Sequence, residues 1–355
     1  MATDARTESL GARGRLRLPS LTAVLGTILV AGVLVWLLVN LYKTPEAWVS
    51  LLFIGITNGA VYGLIAIGYS LVYGILELIN FAHGDIFMLG GMMTATLVAS
   101  LGLQAGDPWY TLWGGVLICL FASMAFCGLL NVGTERVAYR RLRGAPRIAP
   151  LITAIGMSFI FQNVGLVWKG ARPVSVENIL PQGTVFTIPI GNGVPYTWNK
   201  FIVLLITFPV LVALTYLVQR TRQGKAMRAT AQDQDAAAMM GIDVNRTISF
   251  TFALAGCLAG AAGLLYALYF TNITYLTGFR VGLIAFTAAV VGGIGNLPGA
   301  VLGAGLIGLM ESFVNGLTWH SPGSDWTEAV IFAILILILV FRPEGLLGER
   351  TPEGG

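Results

Sequence analysis

Residues 247–270 read TISFTFALAGCLAGAAGLLYALYF, 24 consecutive positions without an Asp, Glu, Lys or Arg. As a helix rising 1.5 Å per residue, this stretch is about 36 Å long, enough to cross the ~30 Å hydrocarbon core of a bilayer. Applied outward with a ruler of about 20 mostly apolar residues, the same reading gives candidate spans near 21–42, 48–69, 86–103, 111–131, 150–168, 201–219, 247–270, 281–295, 300–317 and 327–341. The composition agrees. Of 355 residues, 56% are hydrophobic and only 11% charged, against about 25% charged in a soluble domain; mean hydropathy is +0.78. A soluble enzyme, a disordered chain and a secreted disulfide scaffold are excluded. The fold class is an all-α polytopic membrane protein with about ten transmembrane or half-membrane helices.

The net charge of +4 matters less than its placement. Ten spans put both termini on one side, and 16 of the 21 basic residues fall on that side: in 1–20, 134–147, 220–246, and at Arg342 and Arg350. By the positive-inside rule that side is cytoplasmic. Lys43, Lys169, Arg172, Lys200 and Arg280 fall outside. The chain thus divides into a cytoplasmic tail 1–20, a membrane domain 21–341 and a cytoplasmic tail 342–355. The first span follows Arg13, Arg15 and Arg17, but its apolar run is too long for a signal peptide and no small-residue cleavage site follows, so it reads as a retained helix. Basic clusters beside apolar spans give no reason to expect a nucleic-acid partner. Cys119, Cys127 and Cys257 lie in apolar runs and read as packing residues; with only two histidines, no metal site is expected.

Two connections exceed simple linkage. The outer loop 169–200 carries VFTIPI and VPYTW around Gly191-Asn192-Gly193, a pattern expected to pair as a short hairpin. The cytoplasmic loop 220–246 is polar. Two spans are also interrupted: INFAHGDIFMLGG at 79–91 and GGIGNLPGAVLGAG at 292–305 each place Asn, Gly and a breaker in an apolar context. Such interruptions point to a transporter binding site, because unwound backbone survives only where it faces protein or water. Asn80, His83, Gly84, Asp85, Gly292, Gly293, Gly295 and Asn296 are therefore candidate substrate-path residues, together with Asn58. Asp85, directly after Gly84, has the simpler reading of an N-cap for a helix beginning at Ile86. His83 reads as a hydrogen-bonding hinge, and Glu77 and Glu311 as residues near the membrane surface. The close pairs Gly55/Gly59/Gly63, Gly256/Gly260 and Gly299/Gly303 suit tight helix crossings.

The cytoplasmic segment GKAMRATAQDQDAAAMMGIDVNRTISF predicts a helix from Lys225 to Met240, ended by Gly241 at C′, with Asp243 capping the next span. Asp235-Ala236-Ala237 followed by Gly241 resembles the EAA loop of ATP-binding-cassette (ABC) importer permeases, with Asp in place of Glu and without the later Leu-Pro. The chain has no nucleotide-binding motif: Gly224-Lys225 is followed by Ala226 and lacks an upstream glycine-rich loop.

With NGAVYGLIAIGYSLVYGILELINFAHGDIFMLGG (58–91), RATAQDQDAAAMMGIDVNRTISFTFALAGCLAGAAG (228–263), GLIAFTAAVVGGIGNLPGAVLGAGLIGLME (282–311) and FRPEGLLG (341–348), the chain resembles the branched-chain amino-acid ABC permease family, LivH-type subunit. The resemblance covers about 48–348. It implies a type II-like importer permease of the bacterial inner membrane that works by alternating access, surrounded by lipid. Its implied partners are a LivM-type second permease, two ABC ATPase subunits (LivG/LivF-type) and an extracytoplasmic binding protein. ATP and Mg would be bound by those ATPases and no cofactor by this chain, which is not itself an enzyme. Arg228, Asp235, Ala236, Ala237 and Gly241 are the implied ATPase-coupling residues. The implied substrates are leucine, isoleucine and valine, with urea, short amides or other amino acids as the alternative within the family. An ion-coupled carrier or channel is the alternative of another class; it would need coupling charges in the spans and leaves the EAA-like loop unexplained.

Overall fold

The computed structural model describes residues 21–146, 148–181, 183–191 and 193–348. The tail 1–20, Arg147, Gln182, Asn192 and 349–355 lie outside the described residues, and with them the basic residues counted at 6–17, 147 and 350. Among the described residues nine helices are long and apolar enough to cross a membrane, and Thr277–Gly292 is a shorter apolar one. The helix α1 (Leu21–Lys43) forms a unit by itself.

The second unit holds α2 (Pro45–Leu76), α3 (Ala82–Leu101), α4 (Trp109–Thr134), α5 (Ile148–Lys169), α6 (Trp198–Arg220), α7 (Arg222–Gln232), α8 (Gln234–Met239), α9 (Val244–Phe270), α10 (Thr277–Gly292), α11 (Leu297–Gly316) and α12 (Thr327–Phe341). At its centre is α3, surrounded by α4, α5, α9 and α10. Ile86, Phe87, Met88, Leu89 and Met92 have essentially no exposed surface, as expected for a helix enclosed by neighbours on all sides. Lipid gives no hydrophobic drive between helices, so close backbone approach and interhelical hydrogen bonds do the work. Along α9, a Cβ at Gly256 would lie 2.8 Å from the Gly128 Cα, and one at Gly263 would lie 2.6 Å from the Gly91 nitrogen. Ser123 Oγ donates to the Gly90 carbonyl at 2.8 Å, and Asn131 Nδ2 to the Phe252 carbonyl at 2.7 Å. The other glycine pairs pack likewise: Gly55 and Gly59 on α11, Gly299 and Gly303 on α10.

The loop after α5 forms the expected hairpin, β2 (Thr184–Ile188) with β3 (Val194–Thr197), after a two-residue β1 (Val174–Ser175) that pairs with β4 (Asn272–Ile273). Phe53 of α2 meets Tyr196 edge-on at 4.8 Å, and Tyr196 stacks on Phe186 at 5.0 Å. This aromatic trio seats the hairpin on α2.

Candidate functional site

The first interruption is a five-residue break, Glu77–Phe81. Glu77 adopts a left-handed φ of 52°, which ends α2. Asn80 is buried, and its Oδ1 accepts from the Tyr139 hydroxyl at 2.7 Å. Helix α3 then begins at Ala82, four residues earlier than expected, so Asp85 is not an N-cap. Its carboxylate turns sideways, accepting from Ser158 Oγ of α5, which in turn accepts from Gln162 Nε2 at 3.1 Å. A side chain engaged with α5 cannot close over the first N–H groups of its own helix. His83, fully buried, packs edge-on against Tyr69 at 4.9 Å and occupies the space that a side chain at Gly68 would take.

Asp85 is fully buried in the bundle. A Cβ at Gly278, in the first turn of α10, would lie 2.7 Å from its Cα and Oδ1; one at Gly84 would lie 2.8 Å from the Gly282 Cα. Gly278 is 14 residues before the far end of α10 at Gly292, about 21 Å of helix. The first turns of α3 and α10 therefore overlap in the interior, and both place the positive end of a helix dipole near one buried carboxylate.

The second interruption differs. Gly293 (φ 109°) and Gly295 (φ 90°) turn the chain, and Asn296 caps α11 by accepting from the Gly299 N–H at 3.1 Å. The segment 342–348 covers this break. Leu346 and Leu347 donate to the carbonyls of Val291 and Gly292, each at 2.9 Å, and Asn296 Nδ2 donates to the Leu347 carbonyl at 2.7 Å. Gly292, Gly293, Gly295 and Asn296 thus sit at the opposite end of α10 from Asp85, where Gly295 lies beside Gly74 in the last turn of α2. Asn58 stands apart from both. Its Nδ2 donates to Glu311 Oε2 at 3.3 Å, and the Tyr62 hydroxyl donates to the same oxygen at 2.7 Å. Glu311 is half-buried in this bonded group.

The single helix expected from Lys225 to Met240 is two helices, α7 and α8. At Asp233 the backbone is extended (φ −157°), and its Oδ1 accepts from the N–H groups of Asp235 and Ala236, each at 2.9 Å. An Asp side chain competes for the groups that a continuous helix would use. Helix α8 ends as predicted: Gly241 has φ 81°, its N–H reaches the Ala238 carbonyl at 3.0 Å, and the Ile242 N–H reaches that of Ala237 at 3.1 Å, a Schellman closure. Asp243 caps α9 by accepting from the Arg246 N–H at 3.0 Å. Arg228 donates to the Val218 and Gln219 carbonyls at the end of α6, a local task. Ala237 is 4% exposed, packed on its own chain, and Ala236 is half-exposed. Asp235, Gly241, Met239 (82%) and Met240 (83%) form the free tip.

A bonded frame that sequence reading did not find joins this segment to the first break. Past Thr134 the chain continues as a π-helical turn, Glu135–Tyr139. The fully buried Glu135 pairs with Arg143 and accepts from Ser249 Oγ of α9 at 2.7 Å; Arg143 Nη1 donates to Asn245 Oδ1 at 2.6 Å. Burial lowers the Arg143 guanidinium from its ordinary value, opposed by the Glu135 charge. Tyr139, in the same turn, holds Asn80, and Gln234 Nε2 donates to the Ile75 carbonyl at 3.3 Å. Between them lies a cavity of about 390 Å³, lined in part by Tyr73, Glu77, Tyr139, Arg143, Pro150 and Gln234. The only sequence signal for Ser158 and Gln162 was two polar residues one turn apart in an apolar span.

A family model described as "Branched-chain amino acid transport system / permease component" matches residues 51–339. The chain is 39% identical over 302 residues to the high-affinity branched-chain amino acid transport system permease protein BraD of Pseudomonas aeruginosa, covering 84% of this chain and 95% of that protein. It is 35% identical over 303 residues to LivH of Escherichia coli, covering 85% and 96%. A probable LivH of Methanocaldococcus jannaschii is 27% identical over 291 residues, covering 80% and 88%.

Proposed function

Because the chain belongs to the permease-component family of branched-chain amino acid transport systems, we propose that it is the membrane subunit through which an ABC importer moves leucine, isoleucine and valine inward by alternating access. The observation that carries the mechanism is the bonded frame between the α7–α8 segment and the Glu77–Phe81 break. An ATPase subunit docks on the free tip of α8 at Asp235, Gly241, Met239 and Met240. Its movement reaches Ile75 through Gln234, and it reaches Asn80 through the start of α9, Arg143, Glu135 and Tyr139. Discrete hydrogen-bonded arrangements of this kind carry displacement between packed elements.

The substrate path runs beside Asn80, His83, Gly84 and Asp85, where two helix ends and a carboxylate offer both polarities that a zwitterionic amino acid needs. Gly292–Asn296 act as the hinge between α10 and α11. The α8 tip and both termini face the cytoplasm, and the hairpin Thr184–Thr197 faces an extracytoplasmic binding protein. ATP and Mg belong to two LivG/LivF-type ATPases, and a LivM-type permease completes the path.

Proteoliposomes holding this chain with those subunits test the proposal. Leucine uptake should require the binding protein and ATP hydrolysis. Uptake by the permeases alone would establish a carrier or channel instead, and uptake of urea or short amides in place of leucine would overturn the substrate.

A further inference from the structure

On the exposed side of α4, the π-helical turn and α5, an apolar groove of about 350 Å³ is lined by Leu129, Leu130, Gly133 and Val137 of one side and Met157 and Phe161 of the other. Its volume lies in the range of small-ligand sites. Gly133, Val137 and Arg141 follow at intervals of four residues. Val137 lies in the π-helical turn and Arg141 in the 3₁₀ turn Arg140–Leu142 that directly follows it, so along the chain the apolar stretch is succeeded by a guanidinium. Arg136 and Arg140 flank it, and all three arginines are exposed. Among the described residues none of the three has an ion-pair or hydrogen-bond partner, and the one acid in this stretch, Glu135, is buried and already paired with Arg143.

We propose that this groove and its three arginines form a binding site for one anionic phospholipid, with an acyl chain between α4 and α5 and the phosphate among Arg136, Arg140 and Arg141. The charge pattern selects this occupant. A zwitterionic lipid brings its own cation to the phosphate, whereas an anionic headgroup leaves the phosphate free for arginines that no acid among the described residues neutralises. Basic pockets between membrane helices at the headgroup level hold acidic lipids for this reason. The groove lining supplies apolar contact and leaves recognition to the headgroup.

The test uses the assembled transporter, extracted from membranes containing labelled phosphatidylglycerol and labelled phosphatidylcholine, with the lipid retained after washing measured for each. The wild type should retain phosphatidylglycerol in preference. Each of R136Q, R140Q and R141Q should weaken that preference about fivefold, the equivalent of about 1 kcal/mol per basic residue near an anionic surface, and the triple variant should abolish it. Gly133→Trp fills the groove and leaves the charges in place. A Cβ there meets nothing within 4 Å, so the variant should fold and release the lipid. Equal retention of both lipids by the wild type overturns the proposal. Undiminished phosphatidylglycerol in Gly133→Trp does so too, since it would reduce the site to a diffuse basic surface. A triple variant that keeps the lipid but loses a protein subunit would make the arginines a protein contact and likewise overturn it.

Discussion

Replacing Arg143 by Met removes the guanidinium from the bonded frame and leaves the Glu135 carboxylate, 0% exposed, with Ser249 as its remaining hydrogen-bond donor. Breaking a fully buried ion pair on one side costs about 3–5 kcal/mol, because the surviving charge is left without compensation. The Arg143 side chain is 19% exposed, so water screens part of the interaction and the expected cost is at the lower end, about 3 kcal/mol. Glu135→Gln should cost less, about 1–2 kcal/mol, because Gln keeps an acceptor for Ser249 and leaves behind a partly hydrated cation. The double variant, with no buried charge, should recover much of the loss, giving a coupling energy of about 1–3 kcal/mol in a double-mutant cycle. Stability would be read from unfolding of the purified permease in detergent. Hydrolysis of ATP by the assembled transporter, with and without loaded binding protein, is the second reading. Arg143→Met also removes the bond to Asn245, so stimulated hydrolysis should fall towards the basal rate while basal hydrolysis persists. Additive costs in the cycle, or full stimulation in Arg143→Met, would refute the frame as a mechanical link.

In the coupling segment, Ala237→Glu should destabilise the permease itself by several kcal/mol, because an unpaired charge enters a packed site. Met240→Glu should leave the melting of the permease unchanged and abolish co-purification with the ATPase. Tyr139→Phe deletes the donor to a buried Asn80 and should cost about 1–3 kcal/mol, with leucine uptake falling more than complex yield; equal falls in both would make the bond purely structural. Asp85→Asn should insert and assemble normally but transport poorly, and wild-type uptake would remove Asp85 from the path. In a cysteine-free background, cysteines at Glu177 and Gln232 should label from opposite sides of the membrane; labelling from one side would overturn the orientation.

Much of this architecture was readable from composition and span length. Every expected span became a helix, because a 20-residue apolar run in lipid must satisfy its own backbone, a local requirement independent of the rest of the chain. The break near Gly292, the closure at Gly241, the cap at Asp243 and the hairpin across Gly191 and Gly193 were also legible, whereas the first interruption was legible in kind and not in its bounds. Each depends on a few adjacent residues whose backbone preferences are strong.

What only the tertiary structure decided was the partner of each buried polar group. Asp85 read as a cap because sequence shows the residues beside it; Ser158, 73 positions away, became its partner only once α5 packed on α3. At the second break, the residues beside Gly292 in sequence carry no sign that the 342–348 segment takes up the carbonyls of Val291 and Gly292. Arg143 counted only as one of the basic residues of 134–147, and it took the π-helical turn and the first turns of α9 to join it with Glu135 in one bonded frame. Periodicity and propensity act over one or two helical turns, whereas a hydrogen bond across a membrane bundle is chosen by which helices come into contact, and that choice lies outside any local stretch of sequence.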